Sequence, residues 1–156
     1  GMPMGPIELA DTVGLDICKS VAQILSEALD LPLPDNLESM SKANLLGKKS
    51  GEGFYKYQKG KPLKNKNAQY DKPQEVQDRL VMRLLNEAVA CLREGIVEDR
   101  DMVNAGVIFG TGFAPFTGGP LAYIETEGRE KLAQTMKALE DRFGEQFKLD
   151  EGWNQL

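Results

Sequence analysis

The segment Gly5-Pro6-Ile7-Glu8-Leu9-Ala10-Asp11-Thr12-Val13-Gly14 returns 114 residues later as Gly119-Pro120-Leu121-Ala122-Tyr123-Ile124-Glu125-Thr126-Glu127-Gly128. Each copy reads Gly-Pro, four mostly apolar residues, an acid, Thr, one residue and Gly, and an amphipathic stretch follows each. The offset is too long for a solenoid repeat and suits a duplicated small helical domain. A long helical pattern precedes the second copy, near residues 73–96, and none precedes the first. The expectation is a truncated first repeat over residues 1–63, a linker over 64–72 and a second repeat over 73–156. On that reading the chain is the back end of something larger.

The periodicity predicts an all-α chain with one minor hairpin. Pro6 suits the first turn of a short helix, because its fixed φ fits and its missing N–H costs nothing there. A second helix over 15–29 places Ile17, Val21, Ile24, Leu25 and Ala28 on one face. Asp35 with Glu38 three residues on resembles a capping box for a helix to about residue 44. Alternating aromatics in Phe54-Tyr55-Lys56-Tyr57 and a Lys59-Gly60 turn predict a hairpin ending near Leu63. The helix over about 73–94 carries a stripe of Val76, Leu80, Leu84, Ala88, Cys91 and Leu92, with Gly95 as its C′ residue. Helices are predicted near 100–109, 120–126 and 128–143, the stretch 110–119 is read as a loop without regular structure, and Trp153 as docked on the body.

Several function classes fall away on composition. The net charge of −5 argues against nucleic acid or an anionic membrane as the main partner. The dense lysines within 42–66 read as a solvated edge or as a site for a small polyanion. No apolar run approaches the ~20 residues of a membrane span, and the compartment expected is the cytoplasm. Cys18 and Cys91 lie among apolar neighbours and are read as reduced core residues in preference to a disulfide or a reactive thiol. The sequence has no histidine, which removes the commonest general base and metal ligand together.

The glycine clusters do not complete a nucleotide-binding fingerprint. Gly110-x-Gly112 meets Pro115 where a third glycine is needed, Gly51-x-Gly53 meets Lys56, and Gly47-Lys48-Lys49-Ser50 has Lys42 at the position of the earlier phosphate-loop glycine. Glu87 falls near the apolar stripe, where a carboxylate can accept backbone N–H groups from the Gly/Pro loop or act as a base. Asn86 beside it is placed at the stripe's edge. Asp11-Thr12 and Glu125-Thr126 are expected to tie down helix junctions and cap the helix that follows. No catalytic, cofactor-binding or metal-ligating set is expected of this chain.

The two Gly-Pro segments, the run Gly47–Tyr57, Asn86-Glu87-Ala88, Cys91–Val97 and Gly110–Gly119 together resemble the C-terminal region of 3-hydroxyacyl-CoA dehydrogenases, above all the multifunctional α subunits of fatty-acid oxidation complexes. The resemblance implies the helical fold of the 6-phosphogluconate dehydrogenase C-terminal-like domains, partly duplicated. It also implies a parent enzyme that oxidises L-3-hydroxyacyl-CoA with NAD⁺, whose His–Glu pair and Rossmann domain lie outside these residues. Acyl-CoA, the Rossmann domain, a thiolase subunit and a second copy are the partners it implies. The family's substrate-positioning Asn has its counterpart register at Asp78-Arg79, where the Arg is kept and the Asn is not. The aromatic that the family places before the Gly-x-Gly-Phe turn, near bound acyl-CoA, is Phe109 here, where close relatives have a tyrosine. Phe109 is thus the one substrate-binding candidate, with an ordinary core aromatic as the other reading. For the chain as a whole the leading reading is an inactive C-terminal portion of the dehydrogenase. The alternative is a freestanding acyl-CoA-binding or oligomerisation module, and an independent enzyme is disfavoured for want of a base, metal set or nucleophile.

Overall fold

The computed structural model describes residues 4–29, 32–65 and 74–156. They fall into two compact units, residues 4–65 and 74–156. Most of the linker expected at 64–72 lies outside the described residues.

In the first unit, α1 (Pro6–Val13) starts on Pro6 at N1 and α2 (Leu15–Leu29) follows after Gly14. Helix α3 (Asp35–Lys42) begins after an extended Pro34 that makes no side-chain cap, so Asp35 is inside the helix and the expected capping box is absent. Glu38 pairs instead with Lys42 at 2.8 Å, an i,i+4 pair on an exposed face. Strands β1 (Tyr57–Gln58) and β2 (Lys61–Pro62) pair antiparallel. Their turn places Lys59 at φ 51° and Gly60 at φ 74°, two positive values that match strand twist in a tight hairpin. Lys49 pairs with Asp16, Lys56 with Glu52 and Lys64 with Glu8, so part of the basic stretch is neutralised locally.

This unit buries little apolar surface: Leu15 is its one buried large apolar side chain among the described residues. The predicted face of α2 exists, but Ile17, Val21 and Leu25 are about half exposed and Ile24 is 66% exposed.

The second unit is built around α4 (Gln74–Arg93), which contacts α5 (Arg100–Thr111), α6 (Pro120–Glu127), α7 (Arg129–Phe143) and the C-terminal tail. Helix α4 ends in a Schellman turn: Ile96 N–H donates to Cys91 O and Gly95 N–H to Leu92 O, with Gly95 at φ 68°. Asp99 caps α5 by accepting from Met102 N at 2.8 Å. Helix α5 runs two residues further than expected, and Pro115–Thr117 form a 3₁₀ turn, so the 110–119 stretch is not without regular structure. Its Ala114 and Pro115 carbonyls accept from Thr117 and Gly118.

The buried side of α4 is Met82, Leu85, Asn86, Ala88 and Val89, which shares Ala88 with the expected stripe; of the rest of that stripe Leu84 and Leu92 are partly buried against the core, while Val76 and Leu80 stand about half exposed. The helix is apolar on more than one face, and periodicity cannot choose which face meets the neighbours. Met82, Leu85 and Val89 join Leu121, Ile124, Met136, Phe147 and Trp153 in one core. Phe143 tilts against Phe147 and carries the Arg79 guanidinium 4.2 Å above its ring.

Candidate functional site

Asp11 is the buried ionisable residue of the first unit. Its side chain is fully inaccessible and accepts from Phe54 N (2.9 Å), Tyr55 N (2.8 Å) and the Tyr57 hydroxyl (3.1 Å). The loop reaches it because Gly47 and Gly53 lack side chains: a Cβ on Gly53 would lie 2.2 Å from Asp11 Oδ1, and one on Gly47 2.3 Å from the Asp11 carbonyl. Burial first, and the bond to Asp11 second, push the Tyr57 phenol up to about 12. The matching acid of the second copy behaves otherwise: Glu125 is exposed and pairs with Arg100. Thr12 and Thr126 do not cap the following helices as expected. Each hydroxyl donates back to the carbonyl four residues earlier, Glu8 and Ala122.

Asn86 carries a role that its neighbours in sequence did not signal. Its amide donates to Lys148 O, while its carbonyl accepts from Asp150 N and from Trp153 Nε1, both at 2.9 Å. It is not a residue of the stripe's edge but the anchor of the tail, reinforced by Arg93 Nε bonding Asp150 at 2.9 Å. Glu87, one residue on, is exposed, and among the described residues it makes no bond to the Gly/Pro loop. It is instead among the residues that line an apolar cavity between α4 and α5. Asp78, in the register of the family's Asn, accepts from Gln74 at 2.8 Å.

Phe109 lies near the C-terminal end of α5 and is 88% exposed, which excludes the core-aromatic reading. Phe116, in the 3₁₀ turn, is 89% exposed. Phe113 between them is the core aromatic, edge-on to Tyr123 at 6.4 Å. Both cysteines are free and half-buried rather than core, and burial pushes each thiol up.

Neither glycine-rich stretch fits a dinucleotide pyrophosphate. Gly110 and Gly112 stand at the carbonyl end of α5, where the helix field disfavours anions. Gly47 and Gly53 are closed over by the Asp11 backbone and carboxylate. Among the described residues no group of three or more Cys, Asp or Glu side chains could hold a metal ion, and no helix is long and apolar enough to cross a membrane.

Residues 1–57 match the family model for the C-terminal domain of 3-hydroxyacyl-CoA dehydrogenase. Over 94% of its length the chain is 37% identical to the fatty acid oxidation complex subunit alpha of Vibrio cholerae and 35% identical to that of Shewanella loihica. It spans only 22% and 23% of those proteins. In fold, 99% of the chain superposes on 51% of 3-hydroxybutyryl-CoA dehydrogenase from Escherichia coli at TM-score 0.72 and 17% identity. The dehydrogenase part of multifunctional enzyme 1 from C. elegans matches at TM-score 0.62 and 16% identity, over 98% of this chain and 38% of that one. The chain is thus similar to the C-terminal helical region of 3-hydroxyacyl-CoA dehydrogenases, the resemblance its motifs carry, and among the described residues its fold is all-α with one small hairpin.

Proposed function

We propose that this chain is the helical substrate-cleft and assembly portion of an NAD-dependent L-3-hydroxyacyl-CoA dehydrogenase of cytoplasmic fatty-acid β-oxidation. Catalysis and NAD binding would reside in a Rossmann domain outside these residues, so the chain by itself would turn over no substrate. The observation that carries the assembly role is the bare apolar face of α1 and α2. Leu9 and Val13 of α1 and Ile17, Val21, Ile24, Leu25 and Leu29 of α2 are each between 48% and 66% exposed. An apolar surface that extends over two helices marks an interaction face. A second copy or the remainder of the dehydrogenase would cover it, with a thiolase subunit as a further partner of the assembled enzyme. Phe109, exposed beside the Gly-x-Gly-Phe turn, would touch acyl-CoA in that assembly.

Sedimentation velocity tests this reading. The purified chain is expected to self-associate as its concentration rises, and Ile17→Glu with Ile24→Glu is expected to leave a folded monomer. A wild-type chain that stays monomeric at high concentration would remove the support for assembly through this face. Dehydrogenase turnover by the isolated chain would overturn its assignment as a non-catalytic portion.

A further inference from the structure

Helix α4 has more apolar surface than the core of its unit covers. Leu84, Ala88 and Cys91 form one wall of a cavity of about 370 Å³, and Met102, Gly106 and Val107 of α5 form another. Glu87 and Thr111 supply the polar side chains of the lining. Gly106 adds no side chain to this space. It sits inside α5 without a positive φ, and a Cβ there would meet nothing within 4 Å. A helix-interior glycine normally costs stability relative to Ala, and neither strain nor a close neighbour requires one here. Its effect is to keep the α5 wall flat.

A pocket of some hundreds of Å³, lined by carbon with one or two polar groups near its mouth, has the form that holds small organic ligands. Glu87 is exposed and is the one charged residue among those that line the cavity, so the cavity lies in a negative field. The Cys91 thiol in the wall is raised first by burial and then by Glu87 and Glu94, and so senses the same field. We infer that the α4–α5 cavity binds the alkyl chain of a small amphiphile whose head group is uncharged or cationic, with Glu87 turning away free carboxylates. The inference stands apart from the dehydrogenase reading, since it uses neither Phe109 nor the apolar face of α1 and α2.

The test follows the rate at which a thiol reagent modifies Cys91 in the full chain, with Cys18 as the internal control and 1-octanol as the probe. Saturating octanol is expected to slow Cys91 at least tenfold and leave Cys18 unchanged. The concentration for half-protection should fall about fourfold per methylene from hexanol to octanol, the step expected for burying one CH₂. Octanoate should need at least ten times the octanol concentration, and Glu87→Gln should bring the two close together. Gly106→Leu should abolish protection while Trp153 fluorescence stays native, and Gly106→Ala should weaken it. The inference is overturned if octanol leaves Cys91 unaffected, slows both cysteines equally, or protects no better than octanoate in the wild-type chain. Protection that grows with protein concentration in the absence of octanol would assign the cavity to a contact with a second copy and would overturn it too.

Discussion

Gly14 and Gly128 hold the same backbone conformation 114 residues apart, at φ 107°, ψ 130° and φ 94°, ψ 113°. Each ends an 8-residue helix that opens on proline and is followed by a 15-residue helix. Each donates its N–H to the carbonyl four residues back, Ala10 and Ile124. The duplicated segment is therefore a backbone device: a short helix, a left-handed corner and a long helix. What the two corners hold in place differs, because Asp11 is buried under a loop and Glu125 faces solvent.

Gly128→Ala isolates the conformational part of that corner. Its Cβ would find only Lys131 Cβ, 4.0 Å away, so the cost is backbone strain of about 1–3 kcal/mol. The unfolding midpoint in urea, followed by Trp153 fluorescence, should fall accordingly. At Gly14 the new Cβ would also press on Asp16 and Lys49 at 2.9 Å, so that substitution should disturb their ion pair as well.

Asp11→Ala should release the 47–57 loop. It leaves the Phe54 and Tyr55 N–H groups and the Tyr57 hydroxyl without their acceptor, a loss of roughly 2–4 kcal/mol. Amide exchange at Phe54 and Tyr55 should accelerate sharply, with Asp11→Asn intermediate. Unchanged exchange at both amides would show that the carboxylate does not hold the loop.

Tyr57 should titrate late among the four tyrosines. Its folded value is raised to about 12, against an ordinary value of 10.0, because burial and the Asp11 carboxylate both disfavour phenolate. The stabilisation is complete below pH 10 and is lost as pH rises toward 12. Ultraviolet titration should show a lagging phenol that Tyr57→Phe removes.

Asn86→Ala should free the C-terminal tail. Trp153 Nε1 and Asp150 N lose their shared acceptor in a buried setting, at a cost of about 2–4 kcal/mol. Trp153 emission should shift to the red as the indole meets water. An unshifted spectrum would mean that core contacts alone hold the tail.

Phe109→Ala and Phe113→Ala should separate function from packing. Phe109 is 88% exposed, so its loss should change stability by less than about 0.5 kcal/mol. Phe113 is buried against Tyr123, and its loss should cost about 3–5 kcal/mol. On the proposed function, Phe109→Ala in the assembled dehydrogenase should raise KM for acyl-CoA and spare kcat. Equal KM values would end the case for Phe109.

The elements legible in the sequence were those set by local chemistry. Pro6 and Pro120 at helix starts, Gly95 at a helix end, and the Lys59-Gly60 turn each act within a few residues of chain, so their geometry is written where they stand. The family resemblance was legible for a related reason: its motifs are concentrated at these same corners and turns. The candidate site was less so, since Phe109 could be picked out but not told from a core aromatic.

Tertiary structure alone decided the rest. Asp11 finds its donors 43 to 46 residues away, and Asn86 holds a tail 62 to 67 residues on, distances that leave no periodic trace in a sequence. The face of α4 that is buried, and the Gly106 face left open, depend on where α5, α6 and α7 lie against it. Burial is a property of neighbours, and a helix whose apolar residues circle its axis does not say which neighbour it will meet.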